Sequence, residues 1–272
     1  MQHVTLNNGL TMPQLGFGVW QVPDDEAYSA VTTAIEVGYR SIDTARLYDN
    51  EKGTGRAIAD SGVAREDIFL TTKLWNDDQG YDKALKAFDA SLERLGTEYV
   101  DLYLIHWPAP ERDAYVDTWK ALERIHAEGR AKAIGVSNFT ARTLERLVGE
   151  TEVVPAINQI ELHPYFSQAG MRAANADKGV LTEAWSPLGQ GKGLLDDPVL
   201  AELGAKHGKS AAQVVLRWHL QLGNVVIPKS VTPSRIRENF DVFDFELTAE
   251  DIDRIGSLDR DGRIGPNPDT LN

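Results

Sequence analysis

Eight short apolar runs recur along the chain, each followed by a longer stretch patterned for a helix. Their spacing of roughly 25 to 35 residues is that of repeated βα units. The runs cover residues 15–19, 39–42, 68–72, 100–105, 133–136, 156–160, 180–184 and 225–227. Most are too short for helices and sit against Gly, Asp, Asn or Pro, so they predict strands. Between them, Asp24–Val37, Tyr81–Leu95, 114–128 and 210–222 predict helices. In the second of these, Ala84, Leu85, Phe88, Leu92 and Leu95 recur at three- and four-residue steps, the stripe of a helix lying on a core. Gly96 then provides a stop. Eight strand–helix units without a break predict a closed (β/α)8 TIM barrel rather than an open doubly wound sheet. The first 14 residues are left over, and their Asn7-Asn8-Gly9 turn predicts a β-hairpin capping the barrel bottom.

A barrel of this kind accommodates all 272 residues as one domain, and no proline-rich linker, low-complexity tract or charge block divides them. The chain has no cysteine, which excludes disulfides, thiolate metal sites and a cysteine nucleophile, and fits a reducing cytoplasm. No stretch approaches the roughly 18 apolar residues of a membrane span. Lys and Arg number 28 against 41 Asp and Glu, and a formal charge of −13 would repel a phosphate backbone. The expected partner is therefore a small molecule, not nucleic acid or membrane. No exposed apolar stretch argues against a monomer. His, Asp and Glu nowhere take metal-ligand spacing, so no metal is expected, and no G-x-S-x-G elbow supports a hydrolase.

Barrel enzymes carry their chemistry at the carboxyl ends of strands. Those ends present Asp43, Lys73 and His106, with Tyr48 five residues beyond Asp43. Together they make an acid for carbonyl reduction. A free phenol has a pKa of about 10, and a nearby ammonium favours phenolate and lowers it. Asp43 supplies the counter-charge that a buried Lys73 requires. His106 orients the substrate oxygen, and Tyr48 protonates it as hydride reaches carbon. Taken singly, Asp43 can be a turn cap, Tyr48 a buried tyrosine and Lys73 a solvated strand end. Their joint placement favours chemistry.

Farther on, Lys229, Ser230, Val231 and Thr232 precede a helix that carries Arg235. Two cations, a hydroxyl and free helix amides form an anion site, or else a plain helix cap with solvated charges. Gly16-Phe17-Gly18 is a lone G-x-G with Gln21 in place of a third glycine, so it is no dinucleotide fingerprint; it suits a tight first βα turn. Trp20, Trp75 and Trp107 each follow a strand end and are placed to wall a pocket, or to pack the rim.

The order and spacing of several blocks resemble the aldo-keto reductase family from Leu15 to about Asp259. Gly38-Tyr39-Arg40-Ser41-Ile42-Asp43-Thr44-Ala45 with Tyr48 is similar to its first signature, and Leu104-Ile105-His106-Trp107-Pro108 to its histidine strand. Gly135-Val136-Ser137-Asn138-Phe139, Asn158-Gln159-Ile160-Glu161 and Ile227-Pro228-Lys229-Ser230 resemble later blocks. The resemblance implies Asp43, Tyr48, Lys73 and His106 as a catalytic tetrad, and NADPH as cofactor. It implies Lys229, Ser230, Val231, Thr232 and Arg235 around the 2′-phosphate, with Glu238 and Asn239 near adenine. Ser137, Asn138 and Gln159 are implied for the carboxamide, Trp185 for stacking on nicotinamide, and Ser186, Leu188 and Gln190 for the adjoining loop. Trp185 and the loop from Gly189 to Gly193 are similar to the bacterial 2,5-diketo-D-gluconate reductase branch. No acidic residue stands in the phosphate cluster to receive a bare ribose hydroxyl, which favours NADPH over NADH.

Aldehydes, ketones and α-dicarbonyls are the expected substrates, with 2,5-diketo-D-gluconate a further candidate. A barrel retained as a non-catalytic NADPH sensor is the alternative, although it should have lost Tyr48 or Lys73. A hydrolase or lyase using Asp43 lacks a second carboxylate at another strand end. One departure is Asp49, where relatives usually carry glycine. A carboxylate there either faces the phenol, raising its pKa and disfavouring sugar acids, or points to solvent without effect. The tail after Asp259 is short, which predicts an open, permissive pocket.

Overall fold

Each apolar run becomes one strand of an eight-stranded parallel sheet in which sequence neighbours are spatial neighbours throughout. The computed structural model describes residues 2–272. A hairpin of β1 (His3–Thr5) and β2 (Thr11–Pro13) precedes the sheet, paired antiparallel as expected. The barrel strands are β3 (Phe17–Gly18), β4 (Ser41–Asp43), β5 (Phe69–Leu74), β6 (Val100–Ile105), β7 (Ala131–Ser137), β8 (Ile157–Glu161), β9 (Leu181–Trp185) and β10 (Val225–Val226).

Helices α1 (Asp24–Val37), α2 (Glu51–Asp60), α3 (Tyr81–Leu95), α4 (Tyr115–Ala127), α5 (Ala141–Glu150) and α6 (Ala169–Asp177) each bridge successive strands. Two helices, α7 (Pro198–His207) and α8 (Ala211–Gln221), fill the β9–β10 connection, and α9 (Pro233–Phe240) and α10 (Ala249–Gly256) follow β10. Side-chain caps fix several helix starts: Thr140, Ser210 and Thr248 accept from the third helical amide of their helices, and that residue's side chain returns the bond. No helix among the described residues is long and apolar enough to cross a membrane.

The first and last strands meet to close the ring. Gly16 N donates to Val226 O at 2.9 Å, Val226 N to Gln14 O at 3.0 Å, and Gly18 N to Pro228 O at 3.0 Å. A Cβ on Gly16 would stand 3.0 Å from Ile227 Cγ2 and Ser41 Oγ. The paired glycines therefore serve the seam between β3 and β10, rather than the tight turn expected of them.

Alternation along each strand sends every second side chain into the lumen. Toward the bottom these are Phe69, Leu102, Leu104, Ala133, Ile157 and Val225, and the hairpin plugs that end with Leu6 and Met12. The other face of each strand packs on the helices, where Ile42, Leu70, Tyr103, Ile134, Val136, Ile160 and Ala184 join the larger core. Two strand boundaries move in ways that matter. β4 starts at Ser41 and includes Asp43, and β5 runs on to Leu74, so Asp43 and Lys73 lie within strands. Lys73 is thus fully buried and is not a solvated strand end.

Candidate active site

Asp43 on β4 and Lys73 on β5 point into the upper lumen, where Lys73 Nζ donates to Asp43 Oδ1 at 2.5 Å and to Thr44 O at 3.0 Å. The same ammonium lies 3.5 Å from Tyr48 Oη and 5.1 Å from the centre of its ring. Two fully buried charges are tolerable here because they neutralise each other and the lysine's remaining protons find acceptors.

Tyr48 closes a short 3-10 turn, Arg46–Tyr48, whose loop is pinned by Asn50. Asn50 Nδ2 donates to Val19 O and Val22 O, both at 2.8 Å, and its Oδ1 accepts from Thr44 Oγ1 at 2.7 Å. Glu51 anchors the next turn, accepting from Thr72 Oγ1 and Arg94 Nε at 2.6 Å each. Between these two buried anchors, Asp49 takes a left-handed conformation with φ of 54°. That is the reason glycine suits this place, and aspartate is among the residues that tolerate it. Its carboxylate faces outward and accepts from Arg46 Nη1 at 2.8 Å, so of its two possible placements the structure selects the outer one.

Burial pushes the Tyr48 phenol above its ordinary range and outweighs the opposing pull of Lys73. The net direction is thus opposite to the lowering expected from the lysine alone. Desolvation wins because Asp43 already neutralises Lys73. His106 follows β6, with its ring edge-on to Tyr48 at 5.6 Å between centres and to Trp75 at 5.3 Å. Burial, reinforced by Lys73, holds the imidazole well below its usual pKa, so the ring is neutral. Its Nδ1 is buried without a partner. An unprotonated nitrogen tolerates that better than an N–H does, which places the proton on Nε2, aimed at the site.

Gln159 on β8 ties this cluster to the far wall. Its Nε2 donates to Asp43 Oδ2 and to Glu183 Oε2 on β9, both at 2.9 Å. Glu183 is thus a second carboxyl at a strand end, where the sequence predicts none beside Asp43; alternation along 181–185 turns it inward with Trp185. Glu161, at the end of β8, is another. It accepts from the Ile264 and Gly265 amides at 2.6 and 2.8 Å, and pairs with His163 Nε2 at 3.0 Å. The short tail is therefore fastened across the strand ends, with Asp269 against Arg142 and Asn272 Oδ1 accepting from Glu111 N. The tail runs along the rim from the end of β8 to the loop after β6.

The loops after β7 and β9 are strained. Asn138, Ser186 and Gln190 all have positive φ, of 62°, 50° and 52°. Asn138 Nδ2 donates to His106 O and Ser137 Oγ at 3.0 Å each, and its Oδ1 accepts from Trp185 Nε1 at 2.8 Å. Ser137 Oγ donates to Gln159 O at 2.9 Å. Both residues thus act as ties between strand ends, and the acceptor left for an incoming amide is Gln159 Oε1 together with the second lone pair of Asn138 Oδ1. Those ties hold the Trp185 ring, half-buried, in a fixed plane. Gln190 Nε2 donates to Ser186 Oγ at 2.8 Å, and Leu188 is half-buried beside them. Among the tryptophans, Trp75 touches His106, Trp107 is buried and Trp20 stands most open at the rim.

Beyond β10, Lys229, Val231, Thr232 and Arg235 are exposed while Ser230 is buried, its Oγ accepting from Thr232 N at 3.1 Å. Thr232 leaves the first amides of α9 without a side-chain cap. Among the described residues neither Lys229 nor Arg235 pairs with a carboxylate. Uncapped amides and two unpaired cations fit a phosphate better than a satisfied helix cap. Half-buried Glu238 and buried Asn239 lie on the same helix. No cluster of His, Asp and Glu among the described residues has metal-binding geometry.

Residues 12–260 match the sequence profile of the Aldo/keto reductase family. A Bacillus subtilis protein named glyoxal reductase is 54% identical over 269 residues, covering 98% of this chain and 96% of its own. The Escherichia coli methylglyoxal reductase DkgA is 52% identical over 267 residues, with the same coverage of 98% and 96%. Among solved structures, a mutant of Gox0644 in complex with NADPH superposes with a TM-score of 0.96 at 50% identity, covering 100% of this chain and 98% of that one.

Proposed function

The chain belongs to the aldo/keto reductase family, and from that premise we propose that it reduces small aldehydes, ketones and above all α-dicarbonyls to alcohols with NADPH. Glyoxal and methylglyoxal reductases among its relatives support the substrate class, and the NADPH complex of Gox0644 supports the cofactor. The observation that carries the reading is the buried Asp43–Lys73 pair with the Tyr48 hydroxyl 3.5 Å from the ammonium, beside a neutral His106.

Nicotinamide held against Trp185 and Gln159 would supply the hydride for the carbonyl carbon. The His106 Nε2–H donates to the carbonyl oxygen and fixes its direction, and Tyr48 Oη–H gives the proton as negative charge grows there. A phenol with a raised pKa still serves. The alkoxide formed is as basic as hydroxide, whose conjugate acid has a pKa of about 15.7, so transfer from the phenol runs downhill. The neighbouring ammonium then stabilises the phenolate until solvent returns a proton. Trp185 offers a flat apolar face for the nicotinamide, Gln159 Oε1 an acceptor for its amide, and Lys229 with Arg235 the charge that favours a 2′-phosphate. We place the reaction in the cytoplasm, where a chain without cysteine loses nothing to the reducing conditions.

Reduced-nicotinamide absorbance followed with methylglyoxal, NADPH or NADH tests all parts together. Turnover should be fast with NADPH and weak with NADH, and Tyr48→Phe should lower kcat by about 10²- to 10⁴-fold while NADPH still binds. Binding of NADPH without turnover by the unaltered protein would favour a sensor. Failure to bind either nucleotide would overturn the reading. A parallel assay with 2,5-diketo-D-gluconate asks whether the outward Asp49–Arg46 pair leaves room for a sugar acid.

A further inference from the structure

Glu183 is a wholly buried carboxyl that the reaction scheme above leaves without a task. It projects from β9 into the polar layer of the lumen, opposite Asp43, and Gln159 Nε2 bridges the two at 2.9 Å each. The result is one hydrogen-bonded chain across the barrel, from Tyr48 through Lys73, Asp43 and Gln159 to Glu183. Both Gln159 amide hydrogens are engaged by carboxyl oxygens, so the amide cannot flip and its Oε1 must face away from them. The second oxygen of Glu183, Oε1, is buried with no partner at all.

We propose that Glu183 is a positioning residue for the reduction: as a neutral carboxyl it locks the Gln159 amide onto Asp43, which keeps the Asp43–Lys73 pair seated under Tyr48. The inference rests on the carbonyl-reductase reading above.

Charge balance in the layer supports the neutral form. Three ionisable groups face Glu183 there: Asp43 from β4, Lys73 from β5 and Tyr48 from the loop after β4. Its lateral neighbours on β8 and β10 are Gln159 and Val225, which carry no charge. Lys73 and Asp43 cancel, so a second carboxylate would be an uncompensated charge in a dry interior. Burial first, then the Asp43 charge, accordingly push the Glu183 carboxyl up to about 8. At the partnerless Oε1 a carboxylate oxygen would lack donors and a hydroxyl would lack an acceptor, so the charge balance decides the form. Above that pH the layer gains a negative charge. The charge raises the Tyr48 phenol further, making it a poorer acid, and pulls Gln159 away from Asp43.

The experiment compares the unaltered protein, Glu183→Gln and Glu183→Leu over about pH 6 to about pH 9.5, with methylglyoxal and NADPH. Glutamine keeps an acceptor for Gln159 and cannot ionise; leucine removes the bond. Glu183→Leu is expected to lose kcat about tenfold or more at neutral pH and to bind NADPH more weakly by fluorescence quenching, because Gln159 is released. Glu183→Gln should recover most of that kcat and lack the alkaline fall in kcat shown by the unaltered protein. Infrared difference spectra between about pH 6.5 and about pH 9.5 should show a protonated-carboxyl band that is lost on raising the pH and missing in Glu183→Gln. A pH profile of Glu183→Gln superimposable on the unaltered protein would overturn the proposal, as would the absence of that band. The infrared comparison needs neither turnover nor Glu183→Leu to fold. Failure of the unaltered protein to turn over would therefore count against the reductase reading alone.

Discussion

The two ends of the barrel lumen are lined by the same strands, two to four residues apart, yet they are different materials. β5 contributes Phe69 below and Lys73 above, and β8 contributes Ile157 below and Gln159 above. The lower layer is apolar and plugged by Leu6 and Met12 from the hairpin, so it needs only shape. The upper layer holds Asp43, Lys73, Gln159 and Glu183, and each polar contact there must be matched or left as a cost. A strand end can carry buried charge because the apolar layer lower in the lumen and the helix-facing side of each strand hold it in place. The comparison teaches that stability and chemistry are divided by height in the barrel, not by element.

The division is broken most sharply by one substitution in each layer. Lys73→Met removes the counter-charge of Asp43 and the support of the phenolate; kcat should fall by at least about 10²-fold. Stability should also drop by about 3–5 kcal/mol, as an uncompensated buried charge remains. Leu102→Ala, a wholly buried residue of the lower layer, should cost about 2–5 kcal/mol of stability and leave kcat within about threefold. Denaturant melts and steady-state kinetics on the same preparations check both. A large kcat loss in Leu102→Ala at temperatures where it is folded would mean that the layers are not separable.

A smaller effect separates the lumen from the outer anion site. Arg235 is exposed and free of carboxylate partners, so Arg235→Ala should leave the melt almost unchanged. Losing one charge-assisted contact, screened by solvent, should weaken NADPH binding by about tenfold while NADH binding barely moves. Calorimetric titration with each nucleotide reads that difference directly. Equal losses for both nucleotides would place Arg235 elsewhere than at the 2′-phosphate.

How far the sequence disclosed all this follows from what each inference requires. The strand–helix alternation needs only local periodicity, so the eight strands and the hairpin were legible, and the chain order of Asp43, Tyr48, Lys73 and His106 marked the strand ends. Strand ends themselves drifted: 68–72 extends to Leu74, and that shift of two residues buries Lys73. The direction of the Tyr48 shift was not legible, because it depends on burial outweighing a lysine whose charge Asp43 has already balanced. Glu161 stands between apolar neighbours and Glu183 between Thr182 and Ala184. Only the in-and-out alternation of β8 and β9, combined with a closed ring, shows that they face the lumen and its mouth. The roles of Asn138 and Ser137 as ties were hidden for another reason: hydrogen bonds across three strands leave no trace in any one of them.

The smallest effect concerns the mouth, where the upper layer meets the tail. Burial works to raise the Glu161 carboxyl, but hydrogen bonds from His163 and from the Ile264 and Gly265 amides outweigh it and hold it below the ordinary carboxylate range. A carboxyl depressed by folding stabilises fully above its unfolded value, and that contribution is lost as pH falls through the lower folded one. The tail should thus stay latched at neutral pH and loosen only in acid. Glu161→Gln keeps the side-chain shape but replaces charge-assisted bonds with neutral ones, about half as strong. It should speed proteolysis within 260–272 and change the KM for methylglyoxal by a few-fold, with kcat nearly constant. Gly265→Ala reaches the same end by sterics, since its Cβ would stand 2.9 Å from Glu161 Oε2 and press on the Trp185 ring. If kcat instead fell in step with proteolytic release in both variants, the tail would belong with the chemistry of the upper layer rather than with substrate entry.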